Sequence, residues 1–342
     1  MNPKILITRT LAMPISGSRF ANQIALCKHL IEVGYQPDII MGTSGGCIAG
    51  MVLIICGVSS VKCQESYDVF CVKLNTVLKE LDNTWYLSPW SSYSVINTII
   101  GIKEGSLFNR GNGENFAKQL DIDLEGQPEM WIGTRCKNTA KSQVFCTKSK
   151  KNSKIRMNGA IYMDGNVQLT TKATVASCAV PTIVPGIEID GMIYSDGGVI
   201  HASPLGPCTP AYIKGQISYH IVYISPVRYN SKDDPISDEI EDDDIWNKLK
   251  SSTTGMVTGL HLPDRNNGIR MVGPDAIKKV GRGRNFLKKC LDIQPKCKKS
   301  FIEIAPIVGS HINFLTMKKG DVLTSVNEAY DAGFSVRHWY LP

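Results

Sequence analysis

The feature that most constrains this chain is the stretch from residue 39 to residue 58, where Ile39-Ile40-Met41 meets Gly42-Thr43-Ser44-Gly45-Gly46 and runs straight into the apolar segment Cys47 to Val58. A short apolar run bounded by Pro37-Asp38 and by glycines reads as a strand buried on both faces, the kind found inside parallel sheets. The second segment reads as a helix that is apolar all round and therefore buried. It is about 12 residues long, whereas crossing a bilayer takes roughly 20, so it predicts a core helix and not a membrane span. A buried strand turning sharply into a buried helix belongs to sheets covered by helices.

The flanking sequence agrees. Lys4 to Met13 predicts a first strand, and Gly17 to Val33 carries Phe20, Ile24, Leu26, Leu30 and Ile31 at helical spacing, with Gly34 placed to end the helix. Further on, Met130 to Thr134 and Ser142 to Cys146 predict strands around a polar turn, and Thr171 to Val180 a helix stopped before Pro181. Asp190-Gly191 between two β-type runs is a two-residue hairpin signal. Ser218 to Ser225 and Phe301 to Val308 predict buried strands, and Val322 to Gly333 a last helix. The expectation is an α/β protein with a mainly parallel central sheet between helices, folded as one domain over residues 1–342 with an acidic insertion loop at 229–246.

Composition enters as a filter. With 342 residues, 43% hydrophobic and 20% charged, the chain is excluded from the disordered, collagen-like and coiled-coil classes. Eleven cysteines, an odd and scattered set, predict reduced and mostly buried thiols. The first twenty residues hold no apolar region of signal-peptide length. The expected location is intracellular, soluble or peripherally membrane-associated. Cys290 and Cys297 have no His or Cys neighbours at metal-ligand spacing, so no metal is implied, nor any organic cofactor.

The net charge of +7 is unevenly spread. Asp233 to Asp244 holds eight acids and no base and reads as a solvated loop. Lys278 to Lys299 holds nine bases and one acid, Asp292. That stretch suits a solvated face, an anionic membrane surface or nucleic acid. No aromatic-interleaved or helix-turn-helix pattern accompanies it, so no nucleic acid is expected. Gly281 and Gly283 predict a flexible patch there and not a rigid helix.

Gly42-Thr43-Ser44-Gly45-Gly46 fits G-x-S-x-G in the strand-turn-helix setting of a nucleophile elbow. In such a turn a Cβ two residues either side of the serine collides with neighbouring backbone, and Gly42 and Gly46 remove the collision. The following helix directs its unpaired N–H groups at the seryl oxygen. A glycine-rich turn of this kind also suits a phosphate cradle. A seryl hydroxyl needs a base. None of the six histidines, at 29, 201, 220, 261, 311 and 338, lies in a recognisable triad context, whereas Asp196 follows the hairpin strand and precedes Gly197-Gly198. A Ser/Asp pair requires desolvation to lift the carboxylate from about 3.9 toward neutrality.

Together these motifs resemble the patatin-like phospholipases. Gly42-Thr43-Ser44-Gly45-Gly46 looks like that family's nucleophile motif, Ser195-Asp196-Gly197-Gly198 like its Asp-Gly-Gly/Ala motif, and Ala176-Ser177-Cys178-Ala179-Val180-Pro181 like the stretch preceding its aspartate. Weaker similarity reaches Leu26 to Asp38 and Phe301 to Gly333. The resemblance implies a three-layer α/β fold and acyl-ester hydrolysis of phospholipids or related lipids at a membrane or micelle surface, by a Ser44/Asp196 dyad and an acyl-enzyme. The Gly17, Ser18 and Arg19 backbone would hold the oxyanion. One departure stands out: where the family carries a glycine run, this chain has Ile15-Ser16-Gly17-Ser18-Arg19-Phe20. Side chains at 15, 16 and 20 would restrict that loop or narrow the site, and glycine at 15 and 16 would then raise turnover. Two alternatives stay open, a catalytically impaired lipid-binding or interaction protein on the same fold and an α/β-hydrolase with a Ser-Asp-His triad.

Overall fold

The computed structural model describes residues 6–84, 122–181, 184–198, 204–206, 217–228, 264–307 and 320–342. The acidic run at 229–246 and three of the six histidines, His201, His261 and His311, lie outside them.

The N-terminal half alternates as its apolar pattern requires. Strand β1 (Leu6–Met13) leads through a short 3-10 turn (Gly17–Arg19) into helix α1 (Phe20–Glu32). The apolar residues at helical spacing in α1 are all buried, and Gly34 ends the segment at φ +90°, which favours glycine. Strand β2 (Ile39–Thr43) and helix α2 (Gly45–Ile55) follow, the strand buried at every residue. Helix α3 (Gln64–Thr84) buries Tyr67, Phe70, Leu74, Val77, Leu78 and Leu81 along one face, a stripe that the sequence reading passed over.

Next come β3 (Glu129–Cys136), β4 (Lys141–Cys146), β5 (Ile161–Tyr162) and helix α4 (Val167–Ser177). The hairpin of β6 (Ile187–Ile189) and β7 (Met192–Asp196) turns at Asp190-Gly191, with φ +50° and +75° as a type I′ turn demands. Strand β8 (Ile217–Ile224), a helix α5 over 264–272, β9 (Ile277–Arg282), helix α6 (Gly283–Ile293), β10 (Lys299–Pro306), helix α7 (Asp321–Ala332) and β11 (Phe334–Leu341) complete the described chain.

Among the described residues the strands form one sheet in the order β5-β4-β3-β2-β1-β8-β10-β11-β9, with β7 added on β3 and β6 on β7. The five central strands, from β3 to β10, run parallel, and antiparallel pairing is confined to the flanks. Alternation along β1 sends Leu11 and Met13 to one face and Ala12 to the other. The first face packs on α1, α2, α3, α4, α6 and α7, and the second on residues 155–157, Leu205 and α5. This is the three-layer α/β arrangement expected.

The basic stretch departs from expectation. In place of a flexible patch it forms β9 and α6. Gly281 is glycine because a Cβ there would stand 2.4 Å from the Phe286 ring, and Gly283, at φ +77°, makes the turn from strand to helix. Both glycines serve close packing and turn geometry, so neither loosens the segment.

Candidate active site

Register on β3 brings the two candidate residues together. β2 pairs with β3 until Thr43 meets Gly133, and β7 then takes over that edge, with Asp196 opposite Thr134. The chain leaving β2 at Ser44 therefore meets the end of β7. Ser44 Oγ donates to Asp196 Oδ2 at 2.5 Å, and Gly198 N–H donates to Asp196 Oδ1 at 2.7 Å. Gly197 is the intervening turn residue. Asp196 is fully buried, which pushes its carboxyl up from about 3.8 to about 7, against the opposing pull of the hydrogen bonds from Ser44 and Gly198.

The elbow is strained and crowded. Ser44 sits at φ +54°, ψ −130°, outside the regions open to residues with a Cβ, at a strain of roughly 1–3 kcal/mol. Each glycine of the motif answers a specific contact. A Cβ on Gly42 would stand 2.9 Å from Cys47 backbone, one on Gly45 2.3 Å from the Gly17 carbonyl oxygen, and one on Gly46 2.1 Å from the Met13 carbonyl oxygen. The 14–19 loop therefore lies directly against the first turn of α2.

In that loop Gly17 takes φ +51°, and its amide nitrogen lies 3.0 Å from the point a Gly45 Cβ would occupy. The Arg19 N–H is engaged by the Ser16 carbonyl at 3.0 Å, which withdraws Arg19 from the backbone donors expected to face an oxyanion. Ile15, Ser16 and Phe20 are 3%, 0% and 1% exposed; Ser16 Oγ lies 2.5 Å from the point a Gly45 Cβ would occupy, and Ile15 lies against Gly198, where a Cβ would come within 2.7 Å of its Cδ1.

The residues behind the nucleophile belong to the Ala176–Pro181 motif, to which the sequence alone assigns no role. Ser177 Oγ, at the end of α4, accepts the Ser44 N–H at 2.9 Å, and Cys178 Sγ donates to the Ser44 carbonyl at 3.2 Å. No local signal gives their contacts, since their partners lie more than 130 positions away. Among the described histidines, His29 bonds the Tyr330 carbonyl, His220 the Cys297 carbonyl, and His338 the Ser300 hydroxyl. None of the three contacts Ser44 or Asp196.

A strained serine on a strand-turn-helix, a buried carboxylate near neutrality and a glycine loop packed against the turn are the parts a serine acyl-transfer site uses. The family model for patatin-like phospholipases matches residues 16–209, from this loop through the aspartate turn. No curated protein matches the chain.

Proposed function

This chain belongs to the patatin-like phospholipase family of lipid acyl hydrolases, and from that premise we propose that Ser44 is the nucleophile and Asp196 its base. Asp196 takes the hydroxyl proton as Ser44 Oγ attacks the ester carbonyl carbon. The tetrahedral intermediate collapses, Asp196 returns the proton to the leaving alcohol, and an acyl-Ser44 ester remains. Water, deprotonated by Asp196, then attacks that ester, and the proton passes back to Ser44 as the fatty acid leaves. Gly17 and Ser18 N–H are the oxyanion donors of this reading, assisted by the N-terminus of α2.

The observation that supports it most is the 2.5 Å bond between two buried groups, Ser44 and Asp196, with the carboxyl raised to about 7. At that value the carboxylate is a far better match to a proton acceptor at neutral pH than a free aspartate. The test is labelling by a fluorophosphonate probe together with release of fatty acid from phospholipid in mixed micelles. Wild type should react in both, and folded Ser44→Ala and Asp196→Asn in neither to more than about one part in a thousand. Labelling that persists in Ser44→Ala removes the assignment. A folded wild type that neither labels nor hydrolyses points to the impaired lipid-binding alternative, which the engaged Arg19 amide favours.

The finer reading of the lipid partner is peripheral contact with an anionic surface through the β9 edge. This strand has no neighbour on its outer side among the described residues, and it exposes Lys278, Lys279 and Arg282 together with the apolar Ile277 and Val280. Lys288 and Lys289 continue the positive charge on α6. No helix among the described residues is long and apolar enough to cross a membrane.

A further inference from the structure

The last residue of α4 and the two that follow it touch both members of the dyad. Ser177 Oγ is fully buried, accepts Ser44 N–H at 2.9 Å and Cys47 Sγ–H at 3.2 Å, and donates to the Gly133 carbonyl at 2.6 Å. Its one proton and both lone pairs are in use. Cys178 Sγ donates to the Ser44 carbonyl at 3.2 Å, so both backbone polar groups of the nucleophile are tied to this segment. The carbonyl of Ala179 accepts the Asp196 N–H at 2.9 Å. Three consecutive residues therefore bridge the elbow between β2 and α2, the middle of β3, and the end of β7.

We propose that Ser177 is a positioning residue whose hydroxyl fixes the Ser44 amide, and that the Ser177–Ala179 segment sets the distance between the Ser44 hydroxyl and the Asp196 carboxylate. The inference rests on the dyad reading above. Its physical basis is the strain at Ser44. A residue at φ +54° relaxes unless its surroundings hold it, and rotation there swings Cβ and Oγ away from the carboxylate. A hydroxyl suits the task because it must accept from an amide and donate to a strand carbonyl at once. Alanine does neither, and a thiol is a weaker acceptor.

The experiment compares wild type, Ser177→Ala and Ser177→Thr. Active sites are counted by end-point fluorophosphonate labelling, and kcat and KM are measured per labelled site with a soluble short-chain nitrophenyl ester across pH. Ser177→Ala should lose about 10- to 100-fold in kcat per site, the scale of a misplaced reacting group, with KM within about threefold. Its acid limb should move to higher pH, because the Ser44 bond that holds Asp196 down is weakened. Ser177→Thr, which keeps the hydroxyl, should recover most of the kcat and return the limb. A merely structural role would lower the number of labelled sites and the melting temperature, leaving kcat per site and the limb where they were, and that result overturns the proposal. Should Ser177→Ala yield no folded protein, Ser177→Cys takes its place under the same readouts. Labelling that survives in Ser44→Ala signals instead that the dyad reading has failed, and removes both.

Discussion

Asp196 holds the hydroxyl of Ser44 at 2.5 Å in a place where the carboxylate is wholly shielded and the serine 3% exposed. Burial raises the carboxyl, and the two hydrogen bonds it accepts pull it back, leaving it at about 7. A base must be deprotonated to act, so activity rises as pH rises through that value. We expect kcat/KM for a soluble ester to fall about tenfold per pH unit below an apparent pKa near 7, and to level off above it. A rate that stays flat down to pH 5 would mean that another group takes the proton.

The same shift predicts a stability signature of opposite sense. Because the folded pKa, about 7, lies above the unfolded value of about 3.9, the native state binds this proton more tightly. The resulting stabilisation is complete below about pH 4 and is lost as pH rises through 7. Asparagine does not titrate. Between pH 5 and pH 8 the stability of Asp196→Asn relative to wild type should therefore shift in favour of the variant by about 2–3 kcal/mol. Urea unfolding at each pH measures it, and a difference independent of pH would show that the carboxyl is not raised.

Legibility in the sequence tracked how local the cause was. The β2-turn-α2 unit was readable because its strand and helix are apolar throughout and its glycines relieve clashes within one turn. The β6-β7 hairpin was readable because Asp190-Gly191 alone dictates the turn, and Asp196 follows from it. The 277–293 stretch was misread because a glycine signals freedom in isolation. Only the fold shows that Gly281 makes room for Phe286. Ser177 stands in a motif without a role legible in the sequence, since its partners are Ser44, just beyond the end of β2, and Gly133, in the middle of β3. Spacing places the Arg19 amide along the chain, and only the fold shows that the Ser16 carbonyl claims it.

The loop before α1 gives a prediction against the expectation that glycine there would help. Ile15 is buried against Gly198, whose N–H bonds Asp196 Oδ1. Removing the side chain opens a cavity beneath the aspartate turn, so Ile15→Ala should destabilise the protein by about 2–4 kcal/mol. For Ile15→Gly/Ser16→Gly, kcat per labelled site should fall by at least about threefold, as the turn that steadies the carboxylate loosens. A rise in kcat per site would mean that these side chains do obstruct the site.

The basic edge can be tested through its geometry. Lys278 stands over the Trp339 ring and Lys279 over the Tyr340 ring, so neighbouring lysines of β9 lie on opposite faces of the sheet. A bilayer lying flat on either face would meet only part of the charge, whereas one approached edge-on meets both sets, together with Ile277 and Val280 at 43% and 59% exposure. Arg284 contributes less, being paired with Glu32. Each engaged lysine is worth about 1 kcal/mol near an anionic surface and is screened over about 10 Å at 0.1 M salt. Sedimentation with vesicles of phosphatidylcholine, with and without phosphatidylserine, should show binding that needs the anionic lipid and weakens with salt. Lys278→Glu/Lys279→Glu and Lys288→Glu/Lys289→Glu should each weaken it at least tenfold. Lysines along an open edge also serve to keep sheets from pairing edge to edge. Binding indifferent to lipid charge, salt and both substitutions would leave them that role alone.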